Sequence, residues 1–316
     1  MITIDPKELK TPDIQRWLQG GIGPRPIAMV STLSEDGIPN IGPFSFYNVF
    51  SSNPPIIAFS PARRGRDNTL KDTYNNLMAT KECVVHAVTF NIVEQMNLAS
   101  SELSPDVNEF EIAGFTPIPS EIVKPFRIKE SPFQMECKLL QMISFSENPG
   151  AGNLAICEVL KIHIDEIILD NNVINPNKID LVGRNGGEFY TRSFGSALFE
   201  LPKPSHNIPI GYQNLPDNIK NSTVLSANNI AKLASQKYLP TKEEAEEFFQ
   251  DYQKLDYNDN DFRNCLEYGD YKEMLKYIMN PKFNQAKREF YLHLALKIAL
   301  DKKDTDFGVM LAGLIA

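Results

Sequence analysis

The amino-acid sequence predicts a mainly β fold, an antiparallel barrel, with a C-terminal α-helical extension. Short apolar runs bounded by Pro, Gly and polar residues dominate as far as Arg192, and only two helical segments interrupt them. A doubly wound sheet would instead alternate strands and helices regularly. Beyond Pro240 the apolar residues follow helical spacing. We therefore expect a barrel over 1–204, a tail wrapping it over 205–240 and a small helical module over 241–316.

The first strands are short apolar runs between turn residues. Two such runs lie at 26–31 and 55–60, and a further strand is predicted between them over 38–50. Asp36-Gly37 joins the first run to this further strand. Since that dipeptide readily takes positive φ angles, it predicts a hairpin with a type I′ turn.

The rest of the predicted barrel contains two helices and three strands. A helix over 69–80 precedes a strand over 82–89, and Asn91 has the form of an N-cap for the second helix. Residues 133–145 alternate apolar and polar side chains with the period of two that a strand requires. Residues 153–168 are predicted to form their antiparallel partner.

The predicted helical module begins at a capping box. Thr241 stands three residues before Glu244, which is the spacing that lets each side chain bond the other residue's backbone. Further helices are predicted over 271–279, 283–300 and 307–316 from their apolar spacing and from the proline that separates the first two.

Composition and charge limit the possible partners and compartments. The formal net charge is −8 at pH 7, so the average surface repels phosphates, and nucleic acid and anionic membranes are disfavoured as partners. The four cysteines lack CxxC spacing and are expected to be buried free thiols. There is neither a signal-peptide pattern nor a long apolar span, so we expect a cytoplasmic protein without a membrane segment.

Several enzyme classes have no motif in this chain. No G-x-S-x-G, HExxH or Walker A pattern occurs, which argues against hydrolytic and nucleotide triphosphate chemistry. The four histidines lack metal-ligand spacing, and the two that lie in predicted strands, His86 and His163, are expected to be structural.

A cationic loop spans residues 61–73. It contains Arg63, Arg64, Arg66 and Lys71 but only two acidic residues, a local charge of +2. The loop leads into a predicted helix, whose free N-terminal amides attract anions. A phosphate group of a small cofactor would suit this combination.

Four segments of the chain resemble a known family. In chain order they are RPIAMVST, NIGPFSFYNVFSSNPP, LKDTYNNL and GRNGGEFYTR, and together they resemble the flavin reductase-like family of FMN-binding split barrels. The resemblance extends from Gly20 to Ser193. It implies an FMN-binding split β-barrel that forms a homodimer. It also implies a flavin-dependent oxygenase as a partner, because family members are often associated with oxygenase systems.

The resemblance also implies which residues hold the flavin. The strand around Ser45 would line the edge of the isoalloxazine ring, whose carbonyl and N–H groups match main-chain donors and acceptors. Lys71 and Thr73 would bind the phosphate, and Ser31 and Thr32 would approach it from the neighbouring strand end. The predicted cofactor-binding residues are Ser31, Thr32, Ser45, Phe46, Tyr47, Asn48, Ser60, Arg63, Lys71, Asp72, Thr73, Arg184 and Tyr190.

The activity implied by the resemblance is that of an NAD(P)H-dependent flavin reductase-like oxidoreductase. Hydride transfer from NADH or NADPH to a flavin requires no catalytic acid or base from the protein, so no catalytic residue is assigned. Two alternatives stay open. The chain is either an FMN-binding protein without NAD(P)H turnover, such as a store, a sensor or the partner of another enzyme, or a protein-interaction module attached to an inactive barrel.

Overall fold

The computed structural model of the protein describes residues 1–101, 103–104, 107–203, 209–252 and 254–316. The chain divides into two compact units, Met1–Phe199 and Glu200–Ala316. The first is rich in sheet and the second is helical, as predicted. Within the described ranges, no helix combines the length and the apolar character needed to cross a bilayer.

The first unit contains the strands and the first five helices. The strands are β1 (Arg25–Pro26), β2 (Ala28–Leu33), β3 (Pro39–Phe44), β4 (Tyr47–Ser52), β5 (Pro55–Phe59), β6 (Glu82–Ala87), β7 (Pro117–Ile118), β8 (Arg127–Ile128), β9 (Phe133–Ser144), β10 (Asn153–Ile164), β11 (Leu169–Asp170), β12 (Val173–Ile174), β13 (Val182–Arg184) and β14 (Tyr190–Arg192). The helices are α1 (Thr11–Gly21), α2 (Asp72–Thr80), α3 (Val93–Leu98), α4 (Glu109–Ala113) and α5 (Pro176–Ile179).

A seven-stranded sheet with the order β3-β2-β6-β9-β10-β5-β4 is the largest sheet of this unit. All of its pairings are antiparallel. A smaller sheet places β13 between β1 and β14. β3 and β4 form the two edges of the large sheet and, as far as the structure describes the chain, do not pair with each other. The predicted antiparallel fold is therefore confirmed, but the sheet does not close into a barrel.

The strand predicted over 38–50 is two strands. β3 pairs with β2, whereas β4 pairs with β5 at the opposite edge of the sheet. Ser45 and Phe46 form the connection between them. The run is continuous in the sequence because both strands are apolar, and only the change of partner separates them.

The predicted hairpin between β2 and β3 is present, but its turn is of another type. The amide of Gly37 donates to the carbonyl of Ser34 at 3.0 Å, and Gly37 has a φ of +82°. A type I′ turn would also require a positive φ at Asp36, which Asp36 does not have. The single left-handed residue is the glycine, where the lack of a Cβ makes that conformation cheap.

The two helices predicted among the strands are present as α2 and α3, but α2 begins at Asp72 rather than at 69, α4 and α5 were not predicted, and one predicted cap is wrong. Ile92, Met96 and Ala99 are buried, as predicted for the inward face of the second helix. Asn91 is not its N-cap, because a 3-10 turn over Phe90–Ile92 precedes α3 and makes Ile92 the N-cap residue. The hydrophobic contacts of this segment therefore determine its position more than a capping side chain does.

The core of the large sheet contains the predicted buried thiols. Cys83, Cys137 and Cys157 lie on β6, β9 and β10, and each is fully buried and free. They pack with apolar residues such as Phe59 and Leu77. The fourth cysteine, Cys265, is buried and free in the helical unit.

The helical unit contains α6 (Asp217–Lys220), α7 (Ala227–Ala234), α8 (Lys242–Phe248), α9 (Asp259–Tyr268), α10 (Tyr271–Ile278), α11 (Gln285–Asp301) and α12 (Thr305–Ile315). The capping box of Thr241 and Glu244 forms as predicted, and Ser226 makes a second one with Asn229. Residues 209–240, the described part of the segment predicted as a wrapping tail, contribute Ile219 and Leu233 to this unit's core. Residues 205–208 of that segment lie outside the described residues.

Candidate functional site

A cleft of about 410 Å³ brings together side chains from distant parts of the first unit. Its walls include three cations, Arg25, Lys71 and Arg184, and among the described residues that line it there is no aspartate or glutamate. Ser45 and Tyr190 lie in the same walls. The whole chain has a formal net charge of −8, whereas the charged side chains described in these walls are all positive. The cleft therefore attracts an anion. We call this site the cationic cleft.

Arg25 is a buried cation held by neutral acceptors. Its guanidinium donates to the main-chain carbonyls of Gln19 at 2.8 Å, Ile22 at 2.5 Å and Asn185 at 3.0 Å. These acceptors fix the guanidinium without cancelling its charge. Burial, and then the charge of Arg184, lower the pKa of Arg25 from its ordinary value. An anion in the cleft would relieve both effects.

Sequence reasoning did not single out Arg25 as a site residue. It opens the segment RPIAMVST, and a cation at the first residue of a strand looks like an ordinary solvated end. The available signal was its position directly before a buried apolar run, since a charged group there is either exposed or specifically held.

Arg184 and Tyr190 form one wall of the cleft as a pair. β13 and β14 place them directly opposite each other. The guanidinium carbon lies 4.5 Å from the centre of the tyrosine ring, and Arg184 donates hydrogen bonds to the Tyr190 hydroxyl and the Gly187 carbonyl. This cation–π contact and the two hydrogen bonds hold both side chains in position.

A smaller cavity of about 60 Å³ shares Lys71 with the cationic cleft. Its walls also include Arg64, Asp72 and Thr73, from the cationic loop and the first turn of α2. Lys71 is the N-cap residue of α2 and makes no side-chain hydrogen bond to the helix amides. The small cavity therefore lies at an uncapped helix N-terminus, which favours negative charge.

A buried polar network forms the floor of the small cavity. The hydroxyls of Thr32 and Thr73 donate to Asn40 Oδ1 at 3.2 and 2.9 Å, and Asn76 Nδ2 donates to the Thr32 hydroxyl at 3.1 Å. Asn40 Nδ2 in turn donates to Glu109 Oε1 at 2.7 Å. The hydroxyl protons of both threonines are thus used inside the protein. Direct phosphate contacts from these hydroxyls stay a prediction.

Four of the predicted residues, Ser31, Ser60, Arg63 and Phe46, are not among the residues that line the cationic cleft or the small cavity. Ser31 is buried and donates to the Phe126 carbonyl at 2.5 Å. The Ser60 hydroxyl accepts from the Asn153 amide at 3.2 Å. Arg63 donates to the Asn68 carbonyl at 3.0 Å, inside its own loop, and of the two neighbouring arginines it is Arg64 that lines the small cavity. Phe46 is exposed.

Tyr47 and Asn48 line a separate apolar cavity of about 530 Å³. Arg25 and Ile27 are walls of both this cavity and the cationic cleft. Burial, and then the neighbouring Cys137, raise the pKa of Tyr47 to about 12, so its phenol stays protonated at neutral pH. Asn48 Oδ1 accepts from the Val49 amide at 2.8 Å.

The chain is similar to proteins of several bacteria. An uncharacterized protein of Aquifex aeolicus is 42% identical over 196 residues, which is 62% of this chain and 97% of the relative. Nitrilotriacetate monooxygenase component B from Bacillus cereus has a crystal structure with a TM-score of 0.60 and 32% identity to this chain, covering 64% of this chain and 98% of that one.

A third likeness concerns the fold alone. A crystal structure from Shewanella frigidimarina, whose name includes a split barrel domain, has a TM-score of 0.54 and 22% identity, covering 64% of this chain and all of the other. The open antiparallel sheet of the first unit is accordingly split-barrel-like. The family model described as flavin reductase like domain matches residues 21–179, a range that ends before the helical unit begins. The chain therefore belongs to the flavin reductase-like domain family.

Proposed function

We propose that the chain binds FMN in the cationic cleft and the small cavity, and that it acts as an oxidoreductase with NADH or NADPH as electron donor. The observation that carries the proposal is the set of three cations in walls without an acidic residue among the described ones. Family membership supports a flavin, and the buried charge of Arg25 supports a ligand that brings negative charge.

The residues present fit such a cofactor in chemistry and in size. Arg64 and Lys71 at the uncapped start of α2 would hold the phosphate. Ser45, the side-chain amides of Gln15 and Gln19, and the rest of the cleft would supply hydrogen bonds to the ring edge. The cleft volume of about 410 Å³ lies within the range of about 300–1,000 Å³ usual for small-molecule sites.

The part played by the protein is binding and orientation. When bound, a flavin supplies the capacity to take up a hydride and to pass electrons on. Arg184 and Tyr190, which are held in place by their contact with each other, would position the flavin ring. Tyr47 would keep its proton, because its pKa is raised to about 12. Hydride transfer to the ring needs no proton transfer by the chain, in keeping with the cations and neutral groups that line the described walls of the cationic cleft.

A homodimer is part of the proposal. The exposed side chains of β4 include Val49 and Phe50, which are 65% and 66% exposed, and Ile162 of β10 is 50% exposed. Large apolar side chains on neighbouring parts of one sheet are typical of an interaction surface. We expect Val49→Asp with Phe50→Asp to convert a dimer into a monomer in light scattering, while an unchanged mass would remove this part.

An oxygenase is the proposed recipient of the electrons. The likeness to a monooxygenase component B supports a two-component arrangement in which this chain supplies reduced flavin. Consumption of NADH coupled to substrate oxygenation by an added oxygenase would test it.

The first test is anaerobic mixing of the FMN-loaded protein with NADH and, separately, NADPH, while the flavin absorbance is followed. Bleaching much faster than that of free FMN is expected, and the faster nucleotide identifies the donor. Retention of FMN without bleaching would favour the store, sensor or partner alternative. Failure to take up FMN would overturn the proposal.

A further inference from the structure

Glu109 is a buried carboxyl in the wall of the small cavity, and one of its oxygens is unsatisfied. The side chain belongs to a residue that is only 7% exposed at the start of α4. Its Oε1 accepts from Asn40 Nδ2 at 2.7 Å. Its Oε2 is buried and has no hydrogen-bond partner among the described residues. A buried carboxylate oxygen without a hydrogen-bond donor is destabilising, so its presence requires an explanation.

The network below Glu109 cannot turn to satisfy this oxygen. Asn40 uses its Oδ1 to accept from Thr32 and Thr73, so its Nδ2 must face Glu109. Nδ2 already bonds Oε1. A flipped Asn40 would set its carbonyl oxygen against the carboxylate and leave two hydroxyl donors without their acceptor. Among the described residues none supplies a partner for Oε2, and a ligand in the cavity can supply one.

Among the described residues that line this cavity, positive and negative charges balance when Glu109 is ionised. Arg64 and Lys71 supply two positive charges, and Asp72 and Glu109 supply two negative ones. Arg64 lies 3.5 Å from Asp72, so that pair is partly neutralised. With Glu109 protonated, the described walls carry one net positive charge. Affinity for an anion is thus linked to a single proton on Glu109.

The raised pKa of Glu109 also favours its protonated form. Burial raises the pKa of Glu109 above its ordinary value, and the charge of Asp72 raises it further. The Asn40 side chain and the backbone amides of Glu109 and Ile41 act in the opposite direction without reversing the shift. A phosphate dianion in the cavity would raise it again, by like-charge repulsion.

We propose that Glu109 shares one proton with the phosphate group of the bound ligand, so that the cavity selects a phosphomonoester that arrives with a proton and discriminates against sulfate. The inference rests on the proposed function, since it concerns the phosphate end of the same ligand. A phosphate monoester has a second pKa of about 6 and can carry this proton near neutral pH, whereas sulfate has none to share. The shared proton gives Oε2 its partner and removes the repulsion between two anions.

The test measures how flavin affinity depends on pH. Dissociation constants of FMN and riboflavin are measured by flavin fluorescence from about pH 5.5 to 8.5 for the wild type, Glu109→Gln and Glu111→Gln. Glu111 is an exposed glutamate of the same helix and serves as the matched control. For the wild type, the FMN constant should rise above neutral pH by a factor approaching tenfold per pH unit, because one proton is taken up on binding. Riboflavin, which lacks the phosphate, should show no such slope.

The variants should separate the role of the carboxyl from its structural role. Glu109→Gln should bind FMN with no slope above about pH 7 and more tightly than the wild type at pH 8.5, because the amide can donate to the dianion. Glu111→Gln should keep the wild-type slope. A wild-type FMN constant that is flat with pH would overturn the inference and leave FMN binding intact.

A second measurement needs neither a variant nor a flavin. The melting temperature of the wild type is recorded with inorganic phosphate and with sulfate at pH 6 and pH 8. Stabilisation by phosphate that exceeds that of sulfate at pH 6 and fades at pH 8 supports the shared proton. If FMN does not bind but this pattern holds, the proposed function fails and the anion site stands. Equal effects of the two anions would contradict the inference.

Discussion

Two buried carboxyls of the first unit differ in how fully they are satisfied. Glu136, on β9, is fully buried, and it accepts from the amides of Glu121, Ile122 and Val123 and from His163 Nε2 at 2.7 Å. Burial alone would raise the pKa of Glu136, but these donors outweigh it and lower the pKa to about 2.

Glu109 is nearly as buried but has one side-chain donor, Asn40, and its pKa is raised. The comparison indicates that hydrogen-bond donors, and not burial alone, determine whether the pKa of a buried carboxyl is lowered or raised. A fully satisfied carboxylate ties a loop to a sheet, whereas a half-satisfied one keeps an oxygen for a ligand.

The largest expected effect is at the satisfied carboxyl. Glu136→Gln should lower the free energy of unfolding by about 3 kcal/mol, because in either orientation the amide nitrogen would face two donors, the amides of Ile122 and Val123 or the Glu121 amide and His163. Urea unfolding followed by circular dichroism measures it. A loss below about 1 kcal/mol would mean that the two carboxyls are less different than their hydrogen bonds indicate.

The next effect concerns ligand binding at the half-satisfied site. Lys71→Ala should weaken FMN binding by about 2 kcal/mol, since a charge-assisted contact to the phosphate is lost. Riboflavin binding should change much less. Lys138→Ala, which removes an exposed cation from β9, is the control and should leave both constants unchanged. Equal losses for FMN and riboflavin would place the phosphate away from Lys71.

The buried His86 makes the stability of the first unit depend on pH in the acid range. His86 Nδ1 donates to the Met29 carbonyl and its Nε2 accepts from the Ile128 amide, both at 2.9 Å, which fixes a neutral ring. Burial lowers the pKa of His86 from 6.5 to about 4. The unfolded chain therefore binds more protons between these values, and stability is lost as pH falls from 6.5 towards 4.

The loss attributable to His86 should reach about 2 kcal/mol by pH 5. Unfolding free energies measured between pH 7 and 5 for the wild type and His86→Asn provide the check, since the variant should lack this slope. The contribution of Glu136 falls in a separate window, below about pH 4.5, because its pKa is depressed to about 2. Parallel slopes for the two proteins would assign the acid sensitivity to another group.

The smallest expected effect is on stability at the half-satisfied carboxyl. Glu109→Gln should change the free energy of unfolding at pH 7 by less than about 1 kcal/mol, because the amide oxygen can still accept from Asn40 and a buried carboxylate charge is removed. Thermal melting beside Glu136→Gln checks it. A loss as large as that of Glu136→Gln would show that Glu109 is structural.

Much of the candidate site could be predicted from the sequence. Ser45, Lys71, Arg184 and Tyr190 were predicted from three separated segments, and they line one cleft. The resemblance identified these residues because each segment has a recognisable local sequence pattern. The same holds for the antiparallel sheet and for the capping box of Thr241, which depend on neighbours in the chain.

What the sequence did not reveal depends on distant contacts. Asn40 and Glu109 are 69 residues apart, and no local pattern pairs them. Glu136 alternates with apolar residues as a solvent-facing residue would, and only the loop at 121–123 that covers it explains its burial. The sequence also did not predict that β3 and β4 are separate strands, because a change of partner strand does not alter the hydrophobic pattern.

The buried thiols allow the opening of each unit of this chain to be followed separately. Cys83, Cys137 and Cys157 lie in the sheet core, and Cys265 lies in the helical core. A thiol that is shielded in the native state reacts with an alkylating reagent only when its surroundings open. Mass spectrometry of partly alkylated protein would therefore time the opening of the sheet unit and of the helical unit separately, in the unmodified chain and in one reaction vessel.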